Sequence, residues 1–134
     1  QKTNYDTLRK SVVHNDANDN NVIVSEGLIN PKVTAIIDYG DAVKTQTIND
    51  LAITCAYAIM ETEDPLETSL SILKGYHSVF KIQEKELEFL YTLIGIRLVI
   101  SVTKSAINKT KILLSNFHCV KRILMAVSTY YRTR

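Results

Sequence analysis

Apolar positions along this chain follow two periods, short β-branched runs before residue 40 and helical spacing after it. Residues 11–13, Ser11-Val12-Val13, read as a brief extended run, and residues 5–10 before them as the last turns of a helix. Asn and Asp fill all but one position from Asn15 to Asn21, where their side chains bond nearby backbone, so this segment reads as a loop. Residues 22–24 and 33–37 are strand-like Val/Ile/Thr runs separated by the turn residues Gly27, Asn30 and Pro31, which predicts an antiparallel ribbon. The polar loop and Asp38 then lie at the same end of that ribbon.

A polar stretch is expected from Gly40 to Thr47, and a helix capped by Asn49 or Asp50 after it. Residues 51–60 are apolar nearly all round, which makes that helix central. Pro65 suits the first turn of a second helix, in which Leu66, Leu70, Leu73, Tyr76 and Phe80 recur at steps of four, three, three and four. A third is expected over about residues 83–103. A fourth begins near Ala106, with Leu113, Phe117, Val120, Leu124, Val127 and Tyr131 on one face. The fold class is α+β and mainly α: a small β-ribbon followed by about four helices.

At 134 residues and 46% hydrophobic the chain is long enough for one core, so residues 1–134 are read as a single domain. A net charge of +2 gives no bulk attraction to nucleic acid or to a membrane surface, and neither is expected as a partner. The most apolar run, residues 87–102, is broken by Arg97 and reads as a buried helix instead of a membrane span. Arg97 itself is expected to meet a buried carboxylate or helix carbonyls, with a substrate contact as the lesser alternative. Cys55 and Cys119 sit in apolar helical patterns without metal-ligand spacing, so they read as buried thiols in a reducing, cytoplasmic compartment.

The chemistry concentrates in the loop. His14-x-Asp16 with Asn21 five residues on, then an apolar strand ending in Asp38-Tyr39-Gly40-Asp41, has the spacing of a phosphotransferase loop and its metal-binding aspartate. Asp16 would accept or orient the proton of an attacking hydroxyl. Asn21 and Asp38 offer hard oxygen ligands, which favour Mg2+ over zinc. His14 joins the catalytic set by bracing the loop, not as a base. A calcium loop fits poorly, because Asn21 and Gly27 stand where such loops carry Gly and Glu. For Asp41 a turn or cap role is as good a reading as a functional one.

These residues, with Asn49-Asp50-Leu51-Ala52-Ile53, resemble the C-terminal lobe of the aminoglycoside phosphotransferase and choline kinase superfamily, which has a protein-kinase-like fold. Asp64-Pro65-Leu66, Gly75-Tyr76-His77 and Ile96-Arg97-Leu98 are most similar to hydroxylysine-kinase-like phosphotransferases, including versions fused to class III aminotransferases. The resemblance implies that Asp16 is the catalytic aspartate, Asn21 and Asp38 are metal ligands, and Asp50 stabilises the loop from a helix N-terminus. It also implies transfer of the γ-phosphate of ATP or GTP to a hydroxyl of an amino alcohol or hydroxy amino acid. Asn15 stands where the family has Gly, and so is expected to adopt a left-handed conformation. Asn18 replaces a second His.

A substrate ammonium would want carboxylates, for which Asp19, Asp41 and Glu61 are the candidates, with Glu63 and Asp64 beside them. The chain reaches the loop within about fifteen residues of Gln1, so the nucleotide-binding N-terminal lobe is expected to be missing and the residues alone inactive. The competing reading is a non-catalytic helical interaction domain or a degenerate kinase lobe. In that case the final stretch, with seven Lys or Arg and no acid from Lys104 onward, binds an acidic partner.

Overall fold

The computed structural model describes residues 4–27, 29–60 and 62–107. Four strands and three helices follow in order: β1 (Lys10–Val13), β2 (Val22–Val24), β3 (Val33–Ile36), β4 (Val43–Gln46), α1 (Ile48–Ala58), α2 (Pro65–Val79) and α3 (Glu84–Ile107). The expected class, α+β with helix dominant, is the one observed. The fourth helix expected from Ala106 onward lies outside the described residues beyond Ile107, as do Cys119 and Glu61.

The predicted ribbon forms, with Val22 opposite Ile36 and Ile23 opposite Ala35, and a bulge between Ile23 and Val24. Its connection turns through left-handed backbone at Gly27 (φ 115°) and Asn30 (φ 54°). A second ribbon was not expected. Residues 43–46 form β4, antiparallel to β1 with Lys10 opposite Gln46 and Val13 opposite Val43, where a polar stretch was anticipated. Residues 4–7 make a 3-10 turn, and the helix expected over residues 5–10 gives way to strand at Lys10.

The core is α1 against α3. Leu51 and Cys55 on α1 and Ile59 at its C-cap recur every four residues, and Leu90, Ile94 and Leu98 do the same on α3, all buried. Ala52 and Ala56, at most 1% exposed, let the two helices approach closely. Each large buried aliphatic side chain contributes roughly 1.5–3 kcal/mol of burial. Burial pushes the Cys55 thiol up to about 12. The expectation that α1 is central therefore holds, and so does a buried thiol at Cys55.

Two contacts tie the N-terminal strand to this helical pair. Arg9 donates from Nε and Nη2 to the two carboxylate oxygens of Glu86 at 2.7 and 2.8 Å, and its guanidinium stacks on Phe80. Glu86 also accepts the Gln83 amide at 2.8 Å, closing the first turn of α3 as a capping box does. Burial pushes the Glu86 carboxyl up, but Arg9 and the Gln83 amide outweigh it, leaving Glu86 below the ordinary carboxylate range. No helix among the described residues is long and apolar enough to cross a membrane.

Candidate active site

The loop leaves β1 at Val13 and must reverse immediately to reach β2. Asn15 does this with φ 66°, a conformation Asn tolerates better than most side chains. The turn exposes the amides of His14 and Asn15, and both donate to one carboxylate: His14 N to Asp50 Oδ2 at 3.1 Å and Asn15 N to Asp50 Oδ1 at 2.8 Å. Asp50 lies in the first turn of α1, where the helix dipole also favours a negative charge. Neither Asn49 nor Asp50 is the helix cap: the cap position is Thr47, whose side chain makes no cap bond. The reason is that β4 runs directly into α1, with Thr47 N still bonded to Arg9 O at 3.0 Å, so the helix starts earlier than its polar residues indicate.

His14 is 7% exposed, with both ring nitrogens engaged. Nε2 donates to Ile37 O at 2.8 Å, which leaves Nδ1 to accept the Asp16 amide at 3.3 Å. Its ring packs on Tyr39, 4.6 Å between centroids. The imidazole thus links the loop to the end of β3, immediately before Asp38.

Asn21, also buried, makes the second link. Its Nδ2 donates to Asp16 O at 2.9 Å, and its backbone carbonyl accepts from Ile37 N at 3.0 Å. The amide nitrogen is thereby turned toward Asp16, leaving the side-chain oxygen as the end that can hold a cation. Asp38 is exposed and left-handed (φ 60°), its Oδ1 accepting from Gly40 N at 3.4 Å. A Cβ at position 40 would come within 3.2 Å of that oxygen, so Gly40 keeps the carboxylate uncrowded.

Asp16 has partners on both carboxylate oxygens. Oδ2 accepts from Asn18 Nδ2 at 3.1 Å and lies 3.5 Å from Asn21 Nδ2. Oδ1 accepts from Arg97 Nη2 at 2.5 Å and from Tyr57 OH at 3.4 Å, and Arg97 Nη2 also donates to Tyr57 OH at 2.9 Å. Arg97 thus meets a carboxylate, as expected of a lone arginine on an apolar helix, but the carboxylate is that of the loop itself. Tyr57 is a site residue that sequence reasoning did not single out. Its signal is a hydroxyl in a mostly apolar stretch of α1, where Thr54 carries the other and returns it to the helix backbone at Asp50 O.

Asp19 and Asp41 are exposed, in 3-10 turns after the loop and after Asp38 respectively. Asp64 is taken up at the start of α2, where its Oδ1 accepts the Leu66 and Glu67 amides at 3.0 Å each. His77 sits exposed on α2 and accepts the Ile82 amide. Among the described residues no group of three or more His, Cys, Asp or Glu could hold a metal ion by itself. The oxygens of Asn21 and Asp38 are a donor set of the kind Mg2+ uses when substrate phosphates and water complete its shell.

A buried His and Asn fixing an aspartate loop beside a strand-end Asp-Tyr-Gly is an arrangement suited to phosphoryl transfer, and similarity agrees. Residues 2–83, more than half of the chain, match the phosphotransferase enzyme family, and the chain belongs to it. Among curated proteins it is similar to hydroxylysine kinase of Xenopus laevis, 35% identical over 100 residues that cover 70% of this chain and 27% of that protein. The Danio rerio hydroxylysine kinase is 34% identical over 91 residues, covering 67% of this chain and 26% of that protein. The mouse hydroxylysine kinase is 28% identical over 106 residues, covering 74% and 28%. The chain therefore spans about a quarter of the length of these relatives. No solved structure matches it.

Proposed function

We propose that this chain is the catalytic lobe of a small-molecule kinase that moves the γ-phosphate of ATP or GTP to the hydroxyl of an amino alcohol or hydroxy amino acid, hydroxylysine being the first candidate. The observation that carries the reading is the double link of Asn21, to Asp16 through its side chain and to Ile37 through its backbone. It fixes the acceptor-side carboxylate and the strand-end Asp38 in one frame. Family membership and the hydroxylysine kinase relatives support the same chemistry.

In this reading the acceptor hydroxyl lies against Asp16. Its oxygen forms a bond to the γ-phosphorus as the bridging bond to the β-phosphate breaks. The nucleoside diphosphate leaves and the hydroxyl proton passes to the Asp16 carboxylate. Asn21 and Asp38 would hold Mg2+, which when bound offsets the phosphate charge. His14 positions the loop and takes no proton, since both its nitrogens are engaged. Asp19 and Asp41, and Glu61 from outside the described residues, are the proposed contacts for a substrate ammonium.

The nucleotide side comes from a lobe outside these 134 residues, and the residues alone turn over poorly. The span of about a quarter of the hydroxylysine kinases supports this. A cytoplasmic location is part of the reading, supported by the buried free thiol of Cys55. The test is an acceptor screen of the full-length gene product with Mg2+ and ATP or GTP. Hydroxylysine, other hydroxy amino acids and amino alcohols are offered, and phosphorylated product is detected by mass. Product from at least one of these acceptors is expected. Failure with all of them, by a folded protein that binds nucleotide, overturns the reading.

A further inference from the structure

Arg97 and Tyr57 lie 81 and 41 residues from Asp16 in sequence, on two different helices, yet meet on a single oxygen of it. The ion pair is partly buried, with side chains 17% and 25% exposed for Arg97 and Asp16. Such a pair is more strongly coupled than a surface one. The guanidinium lies over the Tyr57 ring, 5.2 Å from its centroid, so the ring limits its swing. Among the described residues its Nε is buried with no hydrogen-bond partner, so the group is held here by the Asp16 and Tyr57 contacts at a desolvation cost that a purely packing role would not require.

We infer that Arg97, seated by Tyr57, is a positioning residue for phosphoryl transfer: it fixes Oδ1 of Asp16 so that Oδ2 is the oxygen presented to the acceptor hydroxyl. The inference rests on Asp16 being the catalytic aspartate. A carboxylate on a loop can rotate about two side-chain bonds. Asn18 and Asn21 restrain Oδ2 only through amides at 3.1 and 3.5 Å, one of them exchangeable for a substrate hydroxyl. The contacts on Oδ1 are different in kind. They come from α1 and α3, the two helices that form the core, and so transmit the rigidity of the core to the reacting atom. Both bonds leave the one nitrogen Nη2, so a lysine could supply the charge and the donors but not the flat guanidinium that lies over the Tyr57 ring.

The test uses the full-length gene product with Arg97→Met, Arg97→Lys and Tyr57→Phe, each corrected for its folded fraction. Arg97→Met is expected to lower kcat roughly 100-fold, the scale of misplacing a reacting group. Its acceptor KM should stay within about threefold, the mark of an interaction absent from ground-state binding. Arg97→Lys recovers part of the rate, and added guanidinium restores part of it to Arg97→Met. A raised KM with unchanged kcat would make Arg97 an acceptor-binding residue and overturn the inference. So would a kcat loss no larger than the loss of folded protein. The 13C resonance of the Asp16 side-chain carboxylate separates this inference from the reading it rests on. It must move in Arg97→Met while signals of the α1 and α3 core stay in place. An unmoved resonance overturns the clamp whether or not any acceptor is phosphorylated.

Discussion

Asp50 holds Asn15 and His14 at once: one carboxylate, 35 and 36 residues away in sequence, accepts both amides at the sharpest turn of the loop. Two hydrogen bonds to a charged acceptor make it the principal anchor of that turn. Asp50→Asn keeps the shape but can accept only one amide well and carries no charge. It is expected to cost about 2 kcal/mol, read as a fall in the urea midpoint at unchanged slope. A midpoint equal to wild type would show that the loop is held elsewhere.

The turn itself makes a second prediction. Asn15 occupies left-handed backbone that β-carbon sterics disfavour, with φ 66°. Asn15→Ala should destabilise by about 1 kcal/mol, while Asn15→Gly should be neutral or slightly stabilising, because glycine has no Cβ to strain. Equal effects of the two substitutions in chemical denaturation would contradict a strained turn.

What was legible in the sequence depended on how far apart the cooperating residues lie. The β2–β3 ribbon declares itself through β-branched runs, α1 and α3 through long apolar stretches and α2 through four-three spacing, signals contained within one element. The left-handed Asn15 followed from the resemblance, since the family places glycine there. β4 is not legible in the sequence because Val43-Lys44-Thr45-Gln46 carries one apolar residue in four, and its strand character comes from pairing with β1. The cap of α1 was misplaced for the same reason, since the strand feeds the helix without a break. Nothing local in Ile96-Arg97-Leu98 says which carboxylate Arg97 meets, and Tyr57 lies within a stretch, residues 51–60, that is apolar nearly all round. Only packing α1 against α3 brings both to Asp16.

The Arg9–Glu86 pair predicts an acid limb of stability. Glu86 is held below its ordinary value of 4.5, so the folded state binds its proton less readily than the unfolded chain. Its contribution is complete above about pH 4.5 and is lost as pH falls through the depressed native value. Glu86→Gln should remove this part of the acid dependence and cost about 3 kcal/mol near neutrality, because Arg9 and the Gln83 amide lose a charged acceptor. Parallel stability curves for wild type and Glu86→Gln between pH 6 and pH 3 would contradict it.

The central claim is that Asp16 handles the acceptor proton in phosphoryl transfer, and Asp16→Asn in the full-length gene product tests it most directly. Asparagine keeps the shape but can accept on only one side and carries no charge to face Arg97, so the protein should fold with a lowered melting midpoint, and its rate is read per folded molecule. Product formation, followed by mass with Mg2+ and nucleotide, should fall about 1,000-fold, the range of a lost general base. A folded Asp16→Asn protein that phosphorylates its acceptor within about threefold of wild type would contradict the account and point to a non-catalytic helical domain.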